Sequence, residues 1–211
     1  MTSPLRTPAL RAIAVISLCA ALASCADGAS EAPPAQTAVG ALPNSDADFD
    51  GTFLAGTAKE NNAQPGTGDF APAGEQNTEV ARRWVQIGAD PDDPRRGALR
   101  DAAGRTFYFF TQDSASAGSS QCVDACALRW PPVVVDPKGK VFVDNVPKDA
   151  IGAFVRPDGL TQLTVAGHPI YRFTGDTRPG QTRGHGVDSA WFAITPSGTA
   201  ASLPATDGNA R

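Results

Sequence analysis

The chain has 211 residues and a net charge of −4, enough length for one ordinary domain with extensions. Its lysines and arginines form no basic stripe, which argues against a nucleic-acid partner. Eight of its acids fall within residues 25–78 against Lys59 alone. The acidic balance thus belongs to one segment and points to no electrostatic partner.

Arg6 and Arg11 precede an apolar run over 12–23. The run is too short for a permanent bilayer span, which takes about 20 apolar residues, and has the size of a signal-peptide core. It ends in Leu22-Ala23-Ser24-Cys25, which resembles the bacterial lipobox. The resemblance implies that residues 1–24 are a lipoprotein signal peptide, removed together with Cys19, and that Cys25 carries the lipid. An ordinary secretory signal that happens to contain a cysteine is the alternative. Diacyl chains anchor stably because each buried methylene contributes about 0.8 kcal/mol, whereas one chain is marginal. The membrane is therefore the first expected partner. By analogy with other lipoproteins, Ala26 in place of an aspartate favours the outer membrane or cell surface over inner-membrane retention.

Residues 25–78 are rich in Ala, Pro, Gly, Asp, Asn and Thr, with scattered Leu42, Phe49, Phe53, Leu54 and Phe70. No run keeps a helical or strand period, so the composition predicts a disordered acidic spacer. Docking of 48–54 on the domain or on a partner is the alternative reading.

The domain is expected over 79–198. Residues 80–87 read as a strand, and Asp90-Pro91-Asp92-Asp93-Pro94 as a turn cluster. Residues 98–101 and 105–110 form a predicted hairpin around Gly104. A small-residue loop over 114–120 follows, and Ser120 is placed to cap a short helix over 121–129. Trp130 and Pro131-Pro132 end that helix. Further strands are expected over 133–135 and 141–143, and one helical turn over 147–153. Pro157-Asp158-Gly159 turns 154–155 back into 160–165; a second tight turn at 166–168 leads to 169–173. Gly184-His185-Gly186 precedes a closing strand over 191–194, and 199–211 read as a loose tail. Many short strands with Gly/Pro turns predict a mostly β domain. The expected form is an antiparallel sandwich or open barrel of two related hairpin units, with one or two short helices.

Tyr108-Phe109-Phe110-Thr111-Gln112-Asp113 recurs as Tyr171-Arg172-Phe173-Thr174-Gly175-Asp176, with Gly104 and Gly167 four residues before each copy and Trp130 and Trp191 after. Such self-similarity implies two related units, about 95–135 and 158–196. Side chains alternate along a strand, so Tyr108 and Phe110 share a face, as do Tyr171 and Phe173. That common face is expected in the core. The opposite face, carrying Ile170 and Arg172 in the second copy, is expected to be more exposed. Asp113 and Asp176 lie just past the strands, where aspartates accept backbone N–H bonds and start loops.

These residues resemble a family of bacterial lipoproteins with tandem secreted repeats of unknown function, marked by a Tyr-x-aromatic-x-x-Asp motif. The first unit carries the likeness in 101–106, the motif, Cys122-x-x-x-Cys126-Ala127, and Trp130-Pro131-Pro132. The second carries it in Pro157-Asp158-Gly159, Gln162, Gly167-His168-Pro169, the motif, and Gly184-x-Gly186 before Trp191. Phe107 stands where such proteins commonly have Leu, and the second unit lacks the cysteines. The resemblance implies an envelope lipoprotein and supplies no activity.

Cys122 and Cys126, four apart in an exported domain, read as a stapling disulfide. A redox-active pair is the alternative, although the spacing is not Cys-x-x-Cys. A metal set with His168 and His185 lacks zinc-finger spacing. His185 reads as a solvated loop residue, or as an exposed ligand. No nucleophile motif or phosphate loop occurs, so no catalytic residue, metal or cofactor is assigned. The expectation is a non-enzymatic envelope lipoprotein binding an envelope protein or small molecule. The alternative is a redox or metal-handling accessory that uses Cys122/Cys126 or His185.

Overall fold

In the computed structural model, residues 49–71, 75, 77–90, 92, 97–115 and 119–204 are described. The predicted signal peptide, Cys25 and the end of the tail lie outside them. The strands are β1 (Thr52–Ala55), β2 (Trp84–Gly88), β3 (Tyr108–Phe110), β4 (Val134–Val135) and β5 (Lys140–Asp144). They continue with β6 (Ile151–Val155), β7 (Thr161–Val165), β8 (His168–Pro169) and β9 (Trp191–Ala193); the helix α1 is Ala125–Arg129. The mostly β expectation holds.

The strands form three small sheets, and none closes into a barrel. In the first, β5 lies between β1 and β2 and runs parallel to both. This departs from the antiparallel expectation. Central β5 reads Val141-Phe142-Val143, all buried, the continuous apolar run of a strand covered on both faces. The second sheet pairs β3 antiparallel with β9. The third is antiparallel, β4-β7-β6, with β8 added to β7. Between β7 and β8, Ala166 and Gly167 both have positive φ (47° and 81°), as a two-residue hairpin turn requires.

The spacer predicted over 25–78 does not extend that far. Residues 49–71 belong to the domain. β1 pairs with β5, Ala58 is fully buried, and Ala58 N–H donates to Gln86 Oε1 at 2.7 Å. The indole N–H of Trp84 donates to Thr67 Oγ1 at 2.9 Å, and Phe70 packs edge-on against Trp84. Sparse apolar residues suffice here because each fills a site on a preformed sheet, so no periodic stripe is needed.

Two main cores flank the motif strands. One is aliphatic and includes Val85, Ile87, Leu99, Val141, Leu163 and Ile194. The other is aromatic: Tyr108, Trp130, Tyr171, Phe173 and Trp191, with Cys122. Phe107, Phe109 and Ile170 face the first core while Tyr108 and Tyr171 face the second. Both faces are therefore buried, and the more exposed face expected in the second copy is not found: Ile170 is sealed and Arg172 is only 5% exposed.

Smaller differences have local causes. β2 begins at Trp84 because 81–83 forms a 3-10 turn. The helix begins at Ala125, not at 121; Ser120 Oγ accepts the Cys122 N–H at 3.1 Å and lies 2.7 Å from the Tyr171 hydroxyl. The tail is not loose at its start, since Thr195 N–H donates to Thr199 O and Ala201 is buried.

Candidate functional site

The two motif copies meet across a local pseudo-twofold arrangement. Tyr108 N–H donates to Tyr171 O and Tyr171 N–H donates to Tyr108 O, both at 2.9 Å. The side chains then exchange partners between units. The Tyr108 hydroxyl donates to Asp176 Oδ2 at 2.6 Å, and the Tyr171 hydroxyl donates to Asp113 Oδ2 at 2.5 Å. The second oxygen of each aspartate accepts a backbone N–H from its own loop: Gln121 to Asp113 at 2.7 Å and Arg183 to Asp176 at 3.0 Å.

The rings exchange as well. Phe110 stacks on Trp191 at 4.3 Å and Phe173 stacks on Trp130 at 4.3 Å, each across the repeat boundary. Trp130 and Trp191 stack on each other at 3.9 Å, 2° from parallel. Tyr, Phe, Asp and Trp of each copy thus complete the other copy. Stacked rings of this kind contribute about 0.5–1.5 kcal/mol per pair beyond burial. Gly184 has to be glycine here: a Cβ would fall 2.8 Å from Trp130 and 2.9 Å from Tyr108.

Burial dominates the electrostatics of this centre. It pushes the Asp113 and Asp176 carboxyls up, against the hydroxyl bonds that pull them down. It pushes both tyrosine hydroxyls up further, with the partner aspartate adding to the shift. Proton loss from either pair would place two charges together in an apolar core, so the neutral phenol is held as a hydrogen-bond donor.

Position two of the motif breaks the symmetry. In the first copy it is Phe109, which packs on His168 and Phe192. In the second it is Arg172. Its Nη2 donates to Asp69 Oδ1 at 2.7 Å and its Nε to Asp101 Oδ2 at 3.0 Å. Asp101 also accepts from Arg105 Nε at 2.6 Å and from the Ala103 and Arg105 N–H groups. Asp69 Oδ2 accepts the Gln86 N–H at 2.6 Å, and Arg105 Nη2 donates to the Asp69 carbonyl at 2.8 Å. Asp69 and Asp101 are each 2% exposed. Burial, then the Asp101 charge, pushes the Asp69 carboxyl up to about 7, against the pull of Arg172.

This network floors a cavity of about 530 Å³, walled by Phe70, Phe173, Pro131 and Pro179, with Arg105, Arg172 and Arg178 on its lining. Its size and its apolar walls with few polar groups are those of a small-molecule site. The carboxylates that line it, Asp69 and Asp176, have both oxygens occupied by protein donors. Among the described residues, the lining holds no histidine, cysteine or serine.

Residues 96–134 and 152–195 match the family model of a secreted repeat of unknown function. The two matched segments lie in tandem and resemble that repeat. No curated protein and no solved structure matches it. Each secreted repeat contributes one copy of the motif, and the match leaves out residues 49–71, which supply Asp69 and Phe70 to the cavity.

The other predicted residues fall outside the cavity. Cys122 and Cys126 form a disulfide with Cα atoms 5.2 Å apart. Ser120 Oγ lies 2.7 Å from the Tyr171 hydroxyl, and Arg156 Nη2 donates to Cys122 O at 3.1 Å, so the stapled loop is tied to the second repeat. With both sulfurs in the disulfide, the Cys-Cys-His-His set has no thiolates to offer. His185 is not a solvated loop residue: it is 4% exposed, and its Nδ1 accepts the Ala193 N–H at 3.2 Å. Burial lowers the proton affinity of His185 and His168. His168 packs against Phe109. Sequence reasoning missed Asp69, Asp101, Arg105, Arg172 and Arg178. Arg172 was the one available signal, as a charge where the first copy has Phe109.

Proposed function

We propose that this protein is an envelope lipoprotein, held by lipid on Cys25, whose two-repeat domain binds a small molecule in the cavity above Arg172. The cavity carries the reading: the Arg105 and Arg172 guanidinium groups, fixed by Asp69 and Asp101, line an apolar-walled site of ligand size. Carboxylates committed to internal donors, and the lack of a nucleophile–base pair on the lining, favour binding over catalysis. The apolar run over 12–23, the Leu22-Ala23-Ser24-Cys25 sequence and the secreted-repeat family support the envelope location. The closely packed centre of paired tyrosines and tryptophans is the rigid frame on which the cavity sits.

The test has two arms. Cys25→Ser should move the protein from membranes to the soluble fraction; continued membrane association refutes the anchor. Mass spectrometry of small molecules released from the native lipoprotein should recover a species that a cavity-filling Ala103→Trp variant does not retain. Equal recovery from both forms would place binding elsewhere.

A further inference from the structure

We infer that the cavity takes an organic anion, a single carboxylate carried on an apolar body. The inference rests on the reading of this cavity as a binding site. Arg172 is 95% removed from solvent as a residue, yet its fork is only partly used: Nε serves Asp101 and Nη2 serves Asp69. Its Nη1 makes no hydrogen bond to a described residue, and Arg172 lines the cavity. Arg105 is in the same position, with Nε on Asp101, Nη2 on the Asp69 carbonyl, and Nη1 uncommitted. The Arg178 guanidinium makes no hydrogen bond or ion pair to any described residue and stands at the exposed rim.

The lining therefore holds three guanidinium groups against two carboxylates, Asp69 and Asp176. Both oxygens of Asp176 are taken by the Tyr108 hydroxyl and the Arg183 N–H, and both oxygens of Asp69 are taken by Arg172 and backbone N–H groups. The uncommitted charged groups on the lining are guanidinium donors. A cation would meet guanidinium charge beside carboxylates already engaged, whereas a carboxylate meets planar donors suited to it. Arg178, the one of the three with no carboxylate beside it among the described residues, supplies the charge for a single carboxylate. The Phe70, Phe173, Pro131 and Pro179 walls supply the apolar contact that fixes the ligand body.

The experiment titrates the full mature chain with three isosteric probes, 2-naphthoate, 2-naphthamide and 2-naphthylmethylamine, and follows the backbone amide resonances of residues 172–179. Naphthoate should shift them saturably and bind at least tenfold more tightly than the amide, and the amine should not bind. Arg178→Gln, a change at an exposed side chain, should weaken naphthoate about tenfold, as loss of one charge-assisted contact implies, and leave the amide unchanged. Amide and naphthoate binding equally would overturn the anion class while keeping the cavity as a site. Tighter binding of the amine would overturn it in the same way. No shift with any probe would overturn the class and the cavity reading together.

Discussion

Tyr108 and Tyr171 exchange both of their backbone hydrogen bonds, each N–H reaching the other's carbonyl at 2.9 Å. Their hydroxyls then cross to the aspartate of the opposite repeat. Removing one hydroxyl leaves a buried carboxyl oxygen without its donor, which costs about 1–3 kcal/mol. Tyr108→Phe and Tyr171→Phe should therefore each destabilise the domain by about that amount. In urea melts, Tyr171→Phe combined with Asp113→Asn should cost less than the two single changes added together. Strict additivity would show that the hydroxyl–carboxylate bond carries no coupling.

The two tyrosines of these pairs are the chain's only tyrosines. Absorbance of tyrosinate therefore reports on this centre alone. Both hydroxyls are pushed up by burial and by the aspartate beside them. A group whose folded affinity for its proton exceeds the unfolded value contributes stability that is complete below the unfolded pKa, about 10 for tyrosine. That contribution is lost as pH rises beyond it. The native protein should show no tyrosinate at pH 10, and both should ionise together with unfolding at higher pH. Tyrosinate appearing near pH 10 while the far-ultraviolet spectrum stays native would refute the pairing.

The motif and its partners differ in how far the sequence exposes them. Two copies of Tyr-x-Phe-x-x-Asp give the duplication, the strand alternation gives Tyr108 and Tyr171 as buried, and four-residue spacing gives the Cys122–Cys126 disulfide. The exchange of partners between copies is not legible, because a linear pattern does not say whether Tyr108 meets Asp113 or Asp176. The cavity is less legible still. Asp69 and Arg172 are 103 residues apart, and neither lies in a run whose periodicity marks it as buried. Composition made 49–71 read as spacer, since Ala58, Thr67 and Trp84 interlock by shape and by single hydrogen bonds and leave no amphipathic period. The parallel β1-β5-β2 sheet escaped for the same reason: β1 contributes only Thr52–Ala55.

The place of 49–71 in the domain can be tested by truncation. A chain beginning at residue 49 retains every described contact, so its melting temperature should match that of the full mature protein. A chain beginning at residue 79 loses Asp69 from Arg172, Thr67 from the Trp84 indole, and β1 from β5. Breaking a buried ion pair by removing one partner costs about 3–5 kcal/mol by itself, a large part of the stability of a domain this size. The shorter chain should melt without a cooperative transition or not fold. Equal thermal stability of the two chains would restore the spacer reading.

The disulfide closes a very short loop, with a sequence separation of 4. On loop-closure entropy alone, a ring of this size stabilises by about 2 kcal/mol. Cys122→Ser with Cys126→Ser should lower the unfolding free energy by about that amount and leave the domain folded. The contacts Arg156 makes to Cys122 O and Gln162 do not depend on the sulfur atoms. Alkylation of the native, unreduced protein should label neither cysteine. Ready labelling of both would mean that the thiols are free and would reopen a redox role for the pair.

Asp69 gives the domain a pH dependence of its own. Its carboxyl is pushed up to about 7 by burial and by Asp101, above the value near 3.9 of an unfolded chain. The fold therefore binds this proton more tightly than the unfolded state does. The stabilising contribution is complete below about pH 4 and is lost as pH rises through about 7. Asp113 and Asp176 are raised in the same sense. The two histidines, held below their ordinary value by burial, oppose it, because their contribution is lost as pH falls through the imidazole range. Subtraction separates these effects. Asp69→Asn removes one titrating group and leaves the others, so wild-type stability minus variant stability should decline steadily from pH 4 to pH 7 and level off above. Urea melts at half-unit pH intervals would measure that difference. A difference that is flat, or that grows with pH, would mean that Asp69 stays ionised throughout and that Arg172 holds it as a carboxylate despite its burial.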